Sequence, residues 1–255
     1  MRRARVGLDT AAAPPLIIGG LGGSGTRVVT TAARLAGYWM GDDVRTYTED
    51  SKAMSGFITR WLESLVEFPD VSERTNRDAR RAFVRSLTKH RRHLPDPAMR
   101  WGWKNPRNMW LLPFFASVTP GFRFVHVVRD GRDMSTSDNE HFLIRHGNTF
   151  AGKGWEQNKQ AARAHVWAIG NLRAADAGPQ FADGGYHLVR YEDLCRQPRD
   201  TMTALFEFLD GPESGIDAAV AAVQPSSGIG RGGDVDCYDT PIMREALARF
   251  HYEVS

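Results

Sequence analysis

Hydrophobic and polar positions along the chain form two kinds of pattern that alternate from the N-terminal region onward. Short, continuous apolar runs predict buried β-strands at residues 16–18, 123–128 and 186–190. Runs of this kind are typical of parallel strands that are covered on both faces. Apolar residues at helical spacing predict helices between and after these strands. These helices lie at about residues 26–35, 52–67, 73–93, 109–117, 133–142, 155–175, 199–209, 216–223 and 241–252.

The alternation of strands and helices predicts an α/β fold with three layers, in which helices flank a mostly parallel central sheet. A P-loop-like strand-loop-helix unit opens this fold at the N-terminus. We expect a single domain over residues 15–255, preceded by a disordered lead-in at residues 1–14. A polar loop is expected after the helix at 133–142 and extends to Lys153.

A glycine-rich loop separates the first predicted strand from the first helix. Residues 19–26 read Gly-Gly-Leu-Gly-Gly-Ser-Gly-Thr. A strand, a glycine loop and a helix aim several backbone N–H groups and a helix N-terminus at one point, which suits a phosphate group. Glycine is needed there because side chains would hold the anion away from the backbone. The residues predicted to bind the phosphate are Gly22, Gly23, Ser24, Gly25 and Thr26.

Two nucleotide-binding patterns overlap in this loop. Gly20 and Gly25 have the spacing of the glycines in the ATP-binding P-loop, but Thr26-Arg27 stands where a lysine and a serine or threonine would follow. A P-loop nucleotide kinase is therefore disfavoured. Gly20-x-Gly22-x-x-Gly25 also fits the dinucleotide fingerprint, so a Rossmann-like NAD(P)-dependent oxidoreductase is an alternative. That alternative leaves the charged residues after the second strand without a role.

Composition narrows the class of protein. Aromatic residues make up 10% and charged residues 25% of the 255 residues, as is ordinary for a soluble globular enzyme. No apolar run approaches the roughly 20 residues of a transmembrane helix. Two cysteines are too few for a disulfide framework and favour a reducing, cytoplasmic location. The net charge of +3 suits an enzyme that handles anions better than a nucleic-acid-binding protein.

The predicted helix at 73–93 is rich in arginine and poor in apolar residues. It contains seven arginines, so most of its surface is expected to face solvent. A sharper interpretation makes this helix a docking surface for an acidic acceptor or for membrane headgroups. A non-catalytic module that binds polyanions is accordingly a further alternative from another functional class.

Charged and polar residues directly follow the second and third predicted strands. Arg129 begins the segment Arg-Asp-Gly-Arg-Asp after the strand at 123–128, and Tyr191-Glu-Asp follows the strand at 186–190. Open α/β sheets bind their ligands just beyond the carboxyl ends of the strands. We therefore expect both segments to lie at the same sheet edge as the glycine loop.

These motifs together resemble the cofactor sites of the sulfotransferase family, whose members move a sulfuryl group from 3′-phosphoadenosine 5′-phosphosulfate (PAPS) to an acceptor. In that family a Ser-Gly-Thr loop holds the 5′-phosphosulfate, and Ser24-Gly25-Thr26 fits it. A strand-terminal arginine and a serine eight residues later bind the 3′-phosphate, and Arg129 and Ser137 have that spacing. The arginine offers a bidentate fork, and a serine two helical turns on adds a neutral donor.

Two further segments agree with the resemblance. Tyr191 opens the Tyr-Glu-Asp segment of the family, and Arg231-Gly232 resembles the C-terminal element that closes over the 3′-phosphate. The resemblance implies in-line transfer from PAPS to a hydroxyl, or an amine, of a small-molecule or carbohydrate acceptor, which leaves adenosine 3′,5′-bisphosphate. No metal is expected, because the eight histidines are scattered and no ligand cluster has metal spacing.

The sequence departs from the family next to the loop. Family members usually carry a lysine or arginine immediately before Ser-Gly-Thr, and here that position is Gly23. A positive charge must therefore come from elsewhere. Arg27 is one candidate, and Lys104 is the better one, because Lys104-Asn-Pro resembles the Lys-x-Pro segment that some members bring against the sulfuryl group.

The general base is predicted from a second local resemblance. Residues 41–45, Gly-Asp-Asp-Val-Arg, resemble the Gly-Glu-Glu-x-Arg segment of protein-tyrosine sulfotransferases, in which the second carboxylate takes the acceptor proton. Asp43 is accordingly the first candidate for the base, and Arg45 would orient it or the acceptor. Glu140 and His141 are alternatives.

Overall fold

A four-stranded parallel sheet forms the middle layer of the computed structural model, which describes residues 13–232 and 240–252. The strands lie in the order β2-β1-β3-β4, and helices cover both faces, so the predicted three-layer α/β fold is confirmed. The lead-in predicted at 1–14 lies almost wholly outside the described residues. The strands are β1 (Leu16–Gly20), β2 (Gly102–Lys104), β3 (Arg123–Val128) and β4 (Tyr186–Arg190).

Alternation along β1 assigns its side chains to the two faces of the sheet. Ile17 packs into one hydrophobic core, whereas Leu16 and Ile18 pack into the core on the opposite face. All three are almost completely buried. Burial of an aliphatic side chain of this size stabilises the fold by about 1.5–3 kcal/mol. This explains why the apolar run is continuous rather than alternating with polar residues.

Helices of very different length surround the sheet. On one face, α2, α3, α4 and α7 pack around Ile17 and Phe124, and α11 packs against α7. On the other face, α1, α9 and α10 pack around Leu16 and Ile18. The helices are α1 (Thr26–Leu35), α2 (Lys52–Leu65), α3 (Glu73–His90), α4 (Leu112–Val118), α5 (Gly131–Ser135), α6 (His141–Phe150), α7 (Lys159–Phe181), α8 (Tyr191–Arg196), α9 (Pro198–Phe208), α10 (Ile216–Ala221) and α11 (Pro241–Arg249). None of the helices in the described ranges is long and apolar enough to cross a membrane.

The region between β3 and α7 differs from the prediction. Two helices, α5 and α6, replace the single helix predicted at 133–142, and α6 occupies much of the predicted polar loop. The Asp130 side chain accepts a hydrogen bond from the Arg132 backbone N–H at 2.8 Å, so α5 begins two residues earlier than predicted. Leu143 and Phe150 of α6 are buried, which supplies the packing that holds this helix against the core.

The arginine-rich helix α3 packs through a narrow stripe. Ala79, Phe83 and Leu87 are completely buried and face the core that α2 also lines. Arg74 and Arg77 are exposed to solvent. Most of the positive charge of α3 therefore faces solvent in the described structure.

His126 lies in the middle of β3 and is completely buried. One ring nitrogen is 2.9 Å from the Tyr186 hydroxyl, and the other is 2.9 Å from the Asn171 side-chain oxygen. Burial lowers the pKa of His126 from 6.5 to about 4, because the charged imidazolium would lose its hydration. The histidine is therefore neutral in the folded protein at pH 7.

We expect the stability of the protein to fall as the pH drops below about 6.5. Between pH 6.5 and 4 the unfolded chain binds a proton at His126 and the folded chain does not, which costs about 3 kcal/mol at the acid end. Urea unfolding at pH 7 and pH 4.5 measures this loss. The variant His126→Gln should lose less stability over the same interval, and an identical loss in both proteins would contradict the assignment.

Candidate functional site

The parallel sheet brings the predicted motifs to one edge. Gly20 of β1 is in register with Val127 of β3, and Ile18 is in register with Lys104 at the end of β2. The carboxyl ends of parallel strands meet at the same edge of a sheet. The glycine loop, Lys104, Arg129 and Tyr191 consequently surround one region.

The glycine loop turns tightly into α1. The Ser24 backbone N–H donates to the Leu21 carbonyl at 3.0 Å, and Gly25 precedes α1 with a φ of 94°. No side chain of the described residues caps this helix start, so its first N–H groups are available to an anion. At Gly20, an added Cβ would lie 2.3 Å from the Val127 carbonyl oxygen. Any larger residue there would push the loop away from β3.

Two buried polar atoms at this edge have no hydrogen-bond partner among the described residues. They are the Ser24 hydroxyl oxygen and the Nε of Arg129, and their residues are 1% and 5% exposed, respectively. Buried polar groups are almost always hydrogen-bonded in folded proteins. A ligand with acceptor oxygens would satisfy both atoms, and the phosphate groups of a nucleotide fit this requirement.

The ring of Tyr191 lies between the glycine loop and Arg129. A Cβ on Gly25 would lie 2.4 Å from a Tyr191 ring carbon, so the loop backbone packs directly on the ring. The Arg129 guanidinium carbon lies 5.3 Å from the centre of the same ring. The Tyr191 hydroxyl accepts a hydrogen bond from the Ser226 N–H at 3.0 Å and donates to the Gln224 carbonyl at 3.2 Å. Ser24 and Arg129 therefore face the same part of the molecule.

A late glycine-rich segment folds over Arg129. The N–H groups of Gly230 and Gly232 each donate to the Asp133 carboxylate at 2.9 Å, and an Arg129 Nη atom lies 3.4 Å from it. Arg231 reaches the Asp133 carbonyl oxygen with its Nε at 3.4 Å. The structure thus places Arg231 and Gly232 beside Arg129, although they are far apart in sequence. Sequence reasoning assigned no role to Asp133, whose contacts are visible only in three dimensions.

Ser137 does not lie where the predicted helix would put it. Because α5 ends at Ser135, Ser137 lies in the turn before α6 rather than two helical turns beyond Arg129. Its hydroxyl accepts a hydrogen bond from the Asn139 N–H at 3.2 Å. This turn also lies near the glycine loop, since a Cβ on Gly22 would be 3.2 Å from the Asn139 side chain.

The two predicted cations hold the loop that precedes α2. Lys104 is 3% exposed, and its Nζ donates to the Thr48 carbonyl at 2.6 Å and to the Asp50 carboxylate at 2.7 Å. Burial lowers the pKa of Lys104, and the Asp50 carboxylate opposes that effect. Arg27, in the first turn of α1, donates to the Tyr47 carbonyl at 3.0 Å.

Asp43, the predicted base, lies at the surface of this loop. Its carboxylate is 2.9 Å from the Lys52 ammonium group, and that hydrogen bond lowers the pKa of Asp43. The carboxylate in contact with Lys104 is instead Asp50, which sequence reasoning missed because no motif marks it. The Glu140 carboxylate lies 2.9 Å from the Lys159 ammonium group, and this hydrogen bond lowers the pKa of Glu140. His141 is exposed at the start of α6.

Comparisons with known proteins agree on one family. A sequence model described as the sulfotransferase family matches residues 15–214. Human carbohydrate sulfotransferase 6 is 33% identical over 113 residues, a match that covers 38% of this chain and 27% of the human protein. The similarity therefore spans about a quarter of the length of that relative. Within the described ranges, no group of three or more histidine, cysteine, aspartate or glutamate side chains is placed to hold a metal ion.

Solved structures share the fold at low sequence identity. The sulfotransferase domain from the curacin biosynthetic pathway is similar with a TM-score of 0.57 and 15% identity, over 96% of this chain and 100% of that domain. Sulfotransferase STF9 from Mycobacterium avium is similar with a TM-score of 0.58 and 15% identity, over 95% of this chain and 78% of that protein. At this level of identity the likeness concerns the fold.

Replacing Asp133 should loosen the segment over Arg129. In Asp133→Asn, an amide group replaces one of the oxygens that accept hydrogen bonds from Gly230 and Gly232, so we expect faster amide exchange at residues 226–232. The free energy of unfolding should fall by about 1–3 kcal/mol. Hydrogen exchange measured by mass spectrometry tests this, with the exposed Asp138→Asn as the matched control. Equal exchange in the two variants would contradict the role of Asp133.

Proposed function

The chain belongs to the sulfotransferase family, and we propose that it transfers a sulfuryl group from PAPS to a hydroxyl, or an amine, of a small-molecule or carbohydrate acceptor. The observation that carries this proposal is a pair of buried atoms at one sheet edge, Ser24 Oγ and Arg129 Nε, that have no hydrogen-bond partner in the described part of the chain. The name of the human relative supports a carbohydrate as the acceptor.

The glycine loop would hold the 5′ end of the nucleotide. The backbone N–H groups of Gly22, Gly23 and Gly25 would face the anion, and the start of α1 at Thr26, which no side chain of the described residues caps, adds its partial positive charge. The Ser24 hydroxyl would donate a hydrogen bond to a phosphate oxygen. These donors are fixed before binding, since Ser24 is buried and its backbone N–H is bonded to Leu21.

Arg129 would hold the 3′-phosphate together with the neighbouring Arg231, and Ser137 stays a predicted contact. A guanidinium group matches two phosphate oxygens with two parallel hydrogen bonds. The carboxylate of Asp133 accepts the Gly230 and Gly232 N–H groups, which keeps the segment 226–232 over the site. Tyr191 would contribute its ring face between the two phosphate positions.

PAPS supplies a sulfuryl group whose bond to the 5′-phosphate oxygen breaks as the acceptor oxygen or nitrogen forms its bond to sulfur. The chain must provide positive charge near the departing oxygen and a base for the acceptor proton. Lys104, at the end of β2, and Arg27, in the first turn of α1, would supply this positive charge. Asp43 stays the predicted base, and contact with Lys104 makes Asp50 a second candidate.

Adenosine 3′,5′-bisphosphate should bind and stabilise the protein. At a concentration one hundredfold above its dissociation constant, it should add about 2.7 kcal/mol to the free energy of unfolding. Thermal unfolding with this ligand, with NAD and with ATP and magnesium separates the three nucleotide hypotheses. Stabilisation by NAD alone, or by ATP with magnesium alone, would contradict the proposal.

Two variants locate the bisphosphate. Ser24→Ala removes a hydroxyl that bonds to none of the described residues, so the ligand-free protein should keep its stability while the affinity for the bisphosphate falls about tenfold. Arg129→Ala should weaken binding further, because a charged bidentate contact is lost. The exposed Arg74→Ala on α3 is the control and should bind normally. Titration calorimetry measures all three affinities.

Turnover should depend on the charge of Lys104. Since Asp50 raises the pKa of Lys104 against the effect of burial, Asp50→Asn should lower that pKa. The lysine then loses its proton at lower pH, so the alkaline limb of the kcat/KM profile should move to lower pH. Release of adenosine 3′,5′-bisphosphate from PAPS in the presence of sugar acceptors reports this profile.

The variant Asp43→Asn provides the comparison. Its carboxylate pairs with Lys52 and not with Lys104, so the alkaline limb should stay in place. If Asp43 is the base, this variant should lower kcat and leave bisphosphate binding unchanged. An alkaline limb that does not move in Asp50→Asn would remove Lys104 from the proposed chemistry.

A further inference from the structure

A polar cleft lies between α2 and α6, outside the proposed nucleotide site. It has a volume of about 340 Å³ and is open to solvent. We refer to it as the α2–α6 cleft. The residues that line it are Thr59, Arg60, Glu63, Ser64, Arg145 and His146.

Positive charge exceeds negative charge in this cleft. Arg60 and Arg145 are exposed, and Arg107 adjoins them with an Nη atom 3.2 Å from the Thr59 hydroxyl. In the part of the chain that the structure describes, none of these three arginines forms an ion pair. Burial lowers the pKa of Arg107, and the nearby positive charge of Arg145 adds to that effect. Like charges repel, so an anion held between these arginines would be stabilised by all of them.

The single carboxylate of the cleft is already engaged. The Nδ1 of His146 lies 2.7 Å from a Glu63 oxygen, and the imidazole is buried. If Nδ1 donates this hydrogen bond, Nε2 is an acceptor, and it faces an Arg107 Nη donor at 3.4 Å. Glu63 and His146 thus fix the position of Arg107 and leave the outer arginines free to bind a ligand.

The cleft adjoins the proposed reaction centre through the residues that follow Lys104. The Asn105 amide donates to the Ser55 hydroxyl of α2 at 2.9 Å, and the Asn105 side-chain oxygen accepts the Arg107 N–H at 3.0 Å. Arg107 therefore connects the lining of the cleft at Thr59 to Asn105, the residue that follows Lys104. An acceptor whose reacting group lay at Lys104 would extend toward the cleft along these residues.

We propose that the α2–α6 cleft binds a carboxylate or sulfate group of the acceptor, so that the enzyme favours acidic sugars over neutral ones. Arginine side chains match both groups with paired hydrogen bonds. This inference rests on the proposed sulfotransferase function, since it assigns the cleft to the acceptor of that reaction. Arg60 and Arg145 would contact the anionic group directly, and Arg107 would complete the positive field.

A matched pair of sugars tests the inference. Methyl β-D-glucuronide and methyl β-D-glucoside differ only at C6, where the first has a carboxylate and the second a hydroxymethyl group. Each sugar is titrated into the full chain saturated with adenosine 3′,5′-bisphosphate. The nucleotide fills the phosphate positions, so a sugar carboxylate cannot bind there. We expect the glucuronide to bind at least tenfold more tightly than the glucoside. Equal affinities for the two sugars would overturn the inference.

Variants assign the binding to the cleft. Arg145→Gln and Arg60→Gln replace exposed side chains, so both should fold, and each should weaken glucuronide binding about tenfold without changing the affinity for bisphosphate. Arg74→Gln, at an exposed position near the start of α3, is the control and should bind normally. Glucuronide binding that survives both cleft variants would contradict the proposal.

Titration with inorganic sulfate distinguishes a site for free anions from a site for the anionic group of the acceptor. If sulfate binds the cleft and the glucuronide does not, the cleft is a site for free anions and the acceptor assignment is wrong. If the unmodified protein does not bind adenosine 3′,5′-bisphosphate, the proposed function itself is contradicted. Normal bisphosphate binding without any glucuronide binding would leave the proposed function standing and remove only this inference.

Discussion

The contact of Tyr191 with both Gly25 and Arg129 is the constraint on which the site depends. The ring packs against the loop backbone so closely that a Cβ on Gly25 would lie 2.4 Å from it, and the Arg129 guanidinium lies against the same ring. The distance between the glycine loop and Arg129 is therefore set by the thickness and position of one aromatic side chain. The parallel pairing of β1, β3 and β4 fixes that position, because all three elements follow neighbouring strands.

Lys104 and Arg129 differ from Arg107 in whether a carboxylate lies close to the cation. Lys104 and Arg129 each have a carboxylate within reach, Asp50 at 2.7 Å and Asp133 at 3.4 Å. Those carboxylates offset part of the cost of removing the cations from water, and they also hold the loops that cover the site. Arg107 has no such carboxylate among the described residues, although it is half-buried. Its position is easier to explain if a ligand supplies the missing negative charge.

The sequence alone predicted the motifs that can be recognised from adjacent residues. The glycine loop and the residues at the ends of β3 and β4 could be placed because a strand predicts where its carboxyl end lies. It missed β2, since three residues containing a tryptophan carry no periodicity. It also missed Asp50 and Asp133, because their importance comes from contacts with residues that are distant in sequence or lie across a turn. The break between α5 and α6 depends on packing of Leu143 and on the Asp130 cap, which spacing alone did not reveal.

The backbone conformation of the glycine loop explains the departure at Gly23, where the family usually has a lysine or arginine. Gly23 has a φ of 101°, and an added Cβ would lie 3.5 Å from Met134, so space is available but the backbone conformation strains any residue with a side chain. A basic residue at this position would therefore require a different loop. Arg27 and Lys104 instead approach from α1 and β2, and both bind carbonyl oxygens of residues 47–48. The loop itself therefore contains only backbone and hydroxyl donors, and the nearby positive charges lie on α1 and at the end of β2.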